Sequence, residues 1–113
     1  MPEDCIFCKI ARREIPVEPV FENEEFIAFR DMHPQAPVHV LLIPKDHFAT
    51  IMDIQDEALL GRALLAVQQA AAQLGIAEDG FRTVLNTRDN GGQTVYHVHW
   101  HLLGGRFMQW PPG

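Results

Sequence analysis

Cysteine is scarce in this sequence. The 113 residues hold two, Cys5 and Cys8, too few for a disulfide framework; the Cys-x-x-C spacing reads as metal ligation, redox chemistry or plain core. Long apolar runs are missing too, and none approaches the roughly 20 residues that span a bilayer, so no membrane partner is expected. Positive charge is in deficit: nine Lys and Arg stand against fifteen Asp and Glu, a net charge of −6. That balance excludes a broad nucleic-acid or anionic-membrane surface, and any phosphate must be held locally. Neither a Gly-x-x-x-x-Gly-Lys loop nor a Gly-x-Gly-x-x-Gly fingerprint occurs, so ATPase and dinucleotide readings lack support. The stretch Met1-Pro2-Glu3-Asp4-Cys5 has no basic and apolar secretory pattern, which makes the cytoplasm the expected location. No repeat or linker divides the chain, and its length suits one domain, residues 1–113.

What is present is patterned. Ile6, Phe7 and Ile10 fall at helical spacing, predicting a short helix from Asp4 to about Arg13 that Pro16 closes. Val20-Phe21 and Phe26 to Phe29 flank the polar turn Glu22 to Glu25, a hairpin signal. Val38 to Ile43 reads as a strand ended by Pro44, with His39, Leu41 and Ile43 on one face and Val38, Val40 and Leu42 on the other. From about Gln55 to Leu74 runs a long helix with Leu60, Leu64, Val67, Ala71 and Leu74 along one side. Asp53 or Asp56 suits its cap and Gly75 its end. Strands Phe81 to Asn86 and Val95 to Leu103 follow, and residues 104–113 form an extended tail. The expected class is α+β with an antiparallel sheet.

Six histidines are present, and His97, His99 and His101 occupy alternate positions. On a strand they share one face, with Tyr96, Val98, Trp100 and Leu102 opposite and packed on the long helix, so the imidazoles would be presented away from the core. Three readings stand at this point: a polar face that is histidine-rich by chance, a metal site, or a nucleophile flanked by proton handlers. A straight strand spreads three histidines over roughly 13 Å, which brings at most two comfortably onto one ion.

His97-Val98-His99-Trp100-His101-Leu102-Leu103 matches the pattern His-φ-His-φ-His-φ-φ. Taken with Asp31, Pro34-Gln35-Ala36-Pro37, Gly91-Gly92-Gln93, Gly104-Gly105-Arg106 and Trp110-Pro111-Pro112-Gly113, the chain resembles the nucleotide-binding branch of the histidine-triad (HIT) superfamily. The resemblance implies a HIT-like fold of about five antiparallel strands with a short and a long helix, the sheet extended across a homodimer. It also implies a purine nucleoside phosphoramidase, which releases AMP or GMP from nucleoside 5′-phosphoramidates and aminoacyl adenylates through a covalent nucleotidyl-histidine. A nucleotide-binding scaffold with incidental hydrolysis is the alternative, and a catalytic metallohydrolase a second.

Carried over by position, the resemblance makes His99 the nucleophile, His101 a phosphate contact, His97 an orienting residue and His39 part of a proton relay. Gly92, Gln93, Thr94 and Val95 become phosphate-proximal, with Gly91 and Gly92 freeing backbone N–H groups for an anion. A plain hairpin turn is the alternative there. Thr94 stands where many relatives carry Ser. Asn86 becomes a ribose or leaving-group contact and Asp31 the ribose acceptor; without the resemblance Asp31 reads as a turn residue. Ile6, Phe7, Ile10, Phe29 and Met32 become base-lining, where composition alone reads core. Cys5, Cys8, His47 and His97 match a structural zinc site found in some bacterial relatives, against the reading of two buried thiols. No cofactor is implied for catalysis itself.

Overall fold

The computed structural model describes residues 4–113; the part of the N-terminal reading that rests on residues 1–3 lies outside them. Helix α1 covers Ile6–Ala11, with the Cys5 thiol capping its start by accepting from Cys8 N–H at 3.3 Å. Its end is not set by Pro16. Arg13 turns left-handed at φ 62° two residues past the helix, and the Arg13 and Glu14 amides close the turn on Ile10 and Lys9 carbonyls.

Strands β1 (Pro19–Glu22), β2 (Phe26–Arg30) and β3 (Val38–Pro44) follow. The Asn23 carboxamide oxygen accepts from the Glu25 and Phe26 amides, which fixes the β1–β2 turn. A short 3₁₀ turn at Ile51–Asp53 leads to α2, Glu57–Leu74, capped by Asp56 and ended by Gly75 at φ 76°. Strands β4 (Phe81–Val84) and β5 (Trp100–Gly104) complete one antiparallel five-stranded sheet in the order β1-β2-β3-β5-β4.

The sheet is covered on both sides. Against α2 lie Phe26, Ala28, Val40, Leu42, Val98, Trp100 and Leu102. Below the other face, Phe7 and Ile10 of α1 pack on Ile27, Phe29, Leu41 and Ile43. β3 alternates as its sequence predicts. The buried stripe of α2 differs from the predicted one: Ala63, Ala66, Val67, Ala70 and Ala71 face the sheet, while Leu64 is 54% exposed. Small side chains let the helix axis approach the sheet closely, so the alanine side wins over the leucine side. Tyr96, expected under the helix, is also exposed.

Both strands around the histidines are shorter than their patterns suggest. β4 stops at Val84, and the Asn86 side chain instead donates to Gly91 O at 2.7 Å. β5 begins only at Trp100, so His97 and His99 precede the ladder. β3 has ended at Pro44, and the Pro44 carbonyl is bound by the His97 ring. Alternation nevertheless continues through residues 97–99, since Val98 stays in the α2 core while His97 and His99 meet Phe7.

Candidate active site

The triad is not held clear of the core as the alternation alone implied. His97 is fully buried and His99 7% exposed, because α1 lays the Phe7 ring edge-on against both, with centroids 5.9 and 5.2 Å away. The cover is local. His101 stays half-buried, 5.0 Å from His99 between ring centroids, and His39 of β3 lies 5.2 Å beyond it.

Hydrogen bonds assign the protons, since the tautomer of a neutral imidazole is set by the bond its other nitrogen makes. His99 Nδ1 lies 2.8 Å from His97 O and His97 Nε2 lies 2.8 Å from Pro44 O. Carbonyl oxygens only accept, so both nitrogens carry the proton. His99 therefore presents an unprotonated Nε2, the form in which imidazole is nucleophilic. Burial pushes the His99 pKa below its ordinary value, and burial with the neighbouring His99 and His39 holds His101 at about 4. At neutral pH the pair is uncharged.

On the far side of His97 a second cluster forms. His97 Nδ1 lies 3.3 Å from Cys5 Sγ, 3.5 Å from Cys8 Sγ and 3.2 Å from His47 Nδ1, while Cys8 Sγ and His47 Nδ1 are 3.3 Å apart. With Zn–S and Zn–N bonds of about 2.3 and 2.0 Å, a tetrahedral ion would have ligand edges of about 3.3 to 3.8 Å. All four donor atoms lie within 4.8 Å of one another, so two thiols and two imidazoles fit that group. Burial raises the Cys8 thiol to about 11 and lowers both His47 and His97, the latter to about 4. A groove of about 460 Å³ lined in part by Cys5, His47, Thr94 and Tyr96 opens beside the cluster.

The Asn90 to Thr94 loop is braced by its own hydrogen bonds. Gly92 N–H donates to Asp89 O and Gln93 N–H to Arg88 O, so these two amides close the loop itself. The Gln93 side chain turns inward, accepting from Arg88 N–H at 2.9 Å and donating to Ala49 O at 2.7 Å and Val95 O at 3.1 Å. Gly91 is required sterically, since a Cβ there would sit 2.5 Å from Thr87 O. Thr94 is exposed, and Val95 packs against the α1-side core.

Asp31 directly follows β2 and opens the connection to β3. One carboxylate oxygen accepts from His33 N–H at 2.8 Å and the other lies 3.5 Å from His39 Nε2. The five apolar candidates divide: Phe7, Ile10 and Phe29 are core, whereas Ile6 and Met32 are exposed beside them.

The sequence reading missed two anchors. Arg106 donates to Gln35 O at 3.0 Å, tying the Pro34 to Pro37 loop to the exit of β5, and Arg82 donates to Gln109 O at 2.9 Å with its guanidinium 6.0 Å from the Trp110 ring. Both basic residues lie close to a carbonyl remote in sequence, a signal no local pattern carries.

Comparison with known proteins agrees with this arrangement. The HIT domain family matches residues 12–108. A HIT-like protein of Synechococcus elongatus is 56% identical over the full length of both chains. The purine nucleoside phosphoramidase of Escherichia coli is 50% identical over 94% of this chain and 91% of its own. Among solved structures, a HIT family hydrolase from Legionella pneumophila superposes with a TM-score of 0.92 at 53% identity, covering 97% of this chain and all of that one. A histidine triad protein from Clostridium difficile gives 0.91 at 38% identity, covering 96% of each chain.

Proposed function

This chain belongs to the HIT domain family, and from that premise we propose that it is a hydrolase of purine nucleoside 5′-phosphoramidates and aminoacyl adenylates. The observation that carries the reading is the His99 ring: Nδ1–H bound to His97 O at 2.8 Å, with Nε2 unprotonated. The Escherichia coli relative's name supports the nitrogen–phosphorus bond as target.

In this reading His99 Nε2 attacks the α-phosphorus and the bond to the leaving nitrogen breaks. The ring gains positive charge as the new N–P bond forms, and the His97 carbonyl stabilises it through Nδ1–H. The leaving nitrogen takes up one proton from solvent as it departs as the amine. Water then attacks the nucleotidyl-histidine and returns one proton, releasing the nucleoside monophosphate and restoring His99. Both halves of the cycle are thus proton-neutral together.

His101 points its Nε2 side at a phosphoryl oxygen as a donor, and the Thr94 hydroxyl is exposed at the end of the Asn90 to Thr94 loop. Asp31 accepts from ribose hydroxyls, and Asn86 lies at the leaving-group side. Ile6 and Met32 flank the base over the Phe7, Ile10 and Phe29 core. Apolar walls of this kind hold a purine ring without reading its edge, so adenine and guanine should be treated alike.

Cys5, Cys8, His47 and His97 would hold a structural zinc, which would supply a cross-link between α1 and the triad segment. Exposed Leu64, Leu65, Phe107 and Trp110 support assembly as a homodimer. Turnover of a fluorogenic adenosine phosphoramidate tests the activity: wild type is expected to be active after exhaustive chelation and His99→Ala inactive. An inactive wild type would overturn it in favour of a nucleotide-binding scaffold, and loss on chelation would point to metal-dependent hydrolysis.

A further inference from the structure

His39 is 6% exposed, and both of its ring nitrogens are spoken for. The main-chain N–H of Gln35 points at Nδ1, with 3.0 Å between the nitrogens. An amide nitrogen of this kind can only donate, so Nδ1 must accept and the ring proton must sit on Nε2. Nε2 in turn lies 2.9 Å from His101 Nδ1 and a longer 3.5 Å from Asp31 Oδ2. The short contact makes His101 Nδ1 the acceptor, which leaves the His101 proton on its own Nε2.

Resting on the phosphoramidase reading above, we propose that the Gln35 main-chain N–H is a positioning donor for the reaction. Acting through His39, it fixes His101 as the Nε2–H tautomer that donates to the phosphoryl group. His39 is then a holder of protons and not a source of them. With Gln35 N–H on Nδ1, that nitrogen accepts and has no proton to offer, and giving up the Nε2 proton would leave an imidazolate.

The loop that carries this amide is pinned on several sides. Arg106 donates to Gln35 O at 3.0 Å, the Gln35 side chain donates to His33 O at 3.0 Å, and His33 N–H is held by Asp31 Oδ1 at 2.8 Å. A Cβ at Gly105 would come within 2.9 Å of Pro37, so the exit of β5 also presses on the loop. Proline occupies positions 34 and 37, which leaves few amides in the segment and fixes the chain direction around the one that is used. Without that N–H, the buried Nδ1 has no donor. The ring would turn to the Nδ1–H form, His101 would have to donate from Nδ1, and a lone pair would face the anion instead of a proton.

The wild-type protein labelled with nitrogen-15 provides the first test. Histidine proton–nitrogen spectra are expected to show His39 and His101 as Nε2–H and His99 as Nδ1–H. A trans-hydrogen-bond coupling should link the Gln35 amide to His39 Nδ1. Protonated Nδ1 on His39, or Nε2 of both His39 and His101 without a proton, would overturn the proposal. Substitution provides the second: Gln35→Pro removes the N–H, whereas Gln35→Ala keeps it. Relative to Gln35→Ala, Gln35→Pro should lose about tenfold in kcat, a fraction of what a positioned proton donor contributes, with KM within about twofold. Its His101 signals should move toward the Nδ1–H form, and unchanged His101 tautomers in a folded Gln35→Pro protein would sink the idea. If that variant does not fold, the wild-type coupling decides. A wild type that does not cleave phosphoramidates overturns the function but leaves these spectra standing, so the two failures are separable.

Discussion

The two faces of one sheet carry opposite kinds of side chain. Against α2 the buried layer is aliphatic and aromatic, filled by Phe26, Val40, Leu42, Val98, Trp100 and Leu102. Against α1 the apolar patch is smaller, and beside it lie five histidines, two thiols and Asp31. Alternation along β3 and β5 assigns both faces at once, so one strand supplies stability on one side and chemistry on the other. The α1 face can tolerate so many polar groups because each has a partner: among the described residues no buried side-chain nitrogen or oxygen lacks a hydrogen bond.

Substitutions on the two faces should therefore fail in different ways. The largest effect is expected at the nucleophile, where His99→Ala should lower phosphoramidate turnover by about 10⁴-fold or more while the urea midpoint stays close to wild type. The opposite face should give the reverse. Leu42→Ala is expected to cost about 2–5 kcal/mol of unfolding free energy in urea titrations, with turnover per folded molecule retained. If Leu42→Ala abolished activity in the folded state, the two faces would not be separable.

Metal removal acts between these extremes. One zinc per chain should be found by elemental analysis, and stripping it should lower the thermal midpoint while turnover falls far less than in His99→Ala. A metal-to-protein ratio near zero in protein prepared with zinc would dismiss the Cys5, Cys8, His47 and His97 site.

Acid should weaken the α1 face before the α2 face. His101 is held near 4 by burial against an ordinary value of 6.5, so the unfolded chain binds a proton there that the folded chain refuses. Its contribution is complete above about pH 6.5 and is lost as pH falls toward 4. His101→Asn should flatten the stability profile in that window, measured as urea midpoint against pH. The smallest effect is expected for the solvent-facing pair between Arg62 and Glu25, 2.6 Å apart; Glu25→Gln should leave the thermal midpoint unchanged within error.

Periodicity in the sequence was enough to locate both faces, because a strand's period of two leaves no choice once Val40, Leu42, Trp100 and Leu102 are assigned to the core. It put His39 on one face of its own strand, and only the family resemblance paired that face with the triad. It did not reveal how α1 covers His97 and His99, since a six-residue helix has too little pattern to say which strand it crosses. Nor did it show that Gln93 braces its own loop, or that Leu64 faces outward while alanines face inward. Those outcomes depend on close approach between segments far apart in sequence. The Gln35 amide was invisible for a related reason: a main-chain donor leaves no mark on residue identity.

Rapid quench of the enzyme with an adenosine 5′-phosphoramidate, followed by intact-mass and peptide analysis, tests the central claim most directly. The account predicts a mass gain of one adenylyl group, located on His99 and absent from His99→Ala. Turnover that proceeds with no adduct, or with the adduct on another residue, would contradict it.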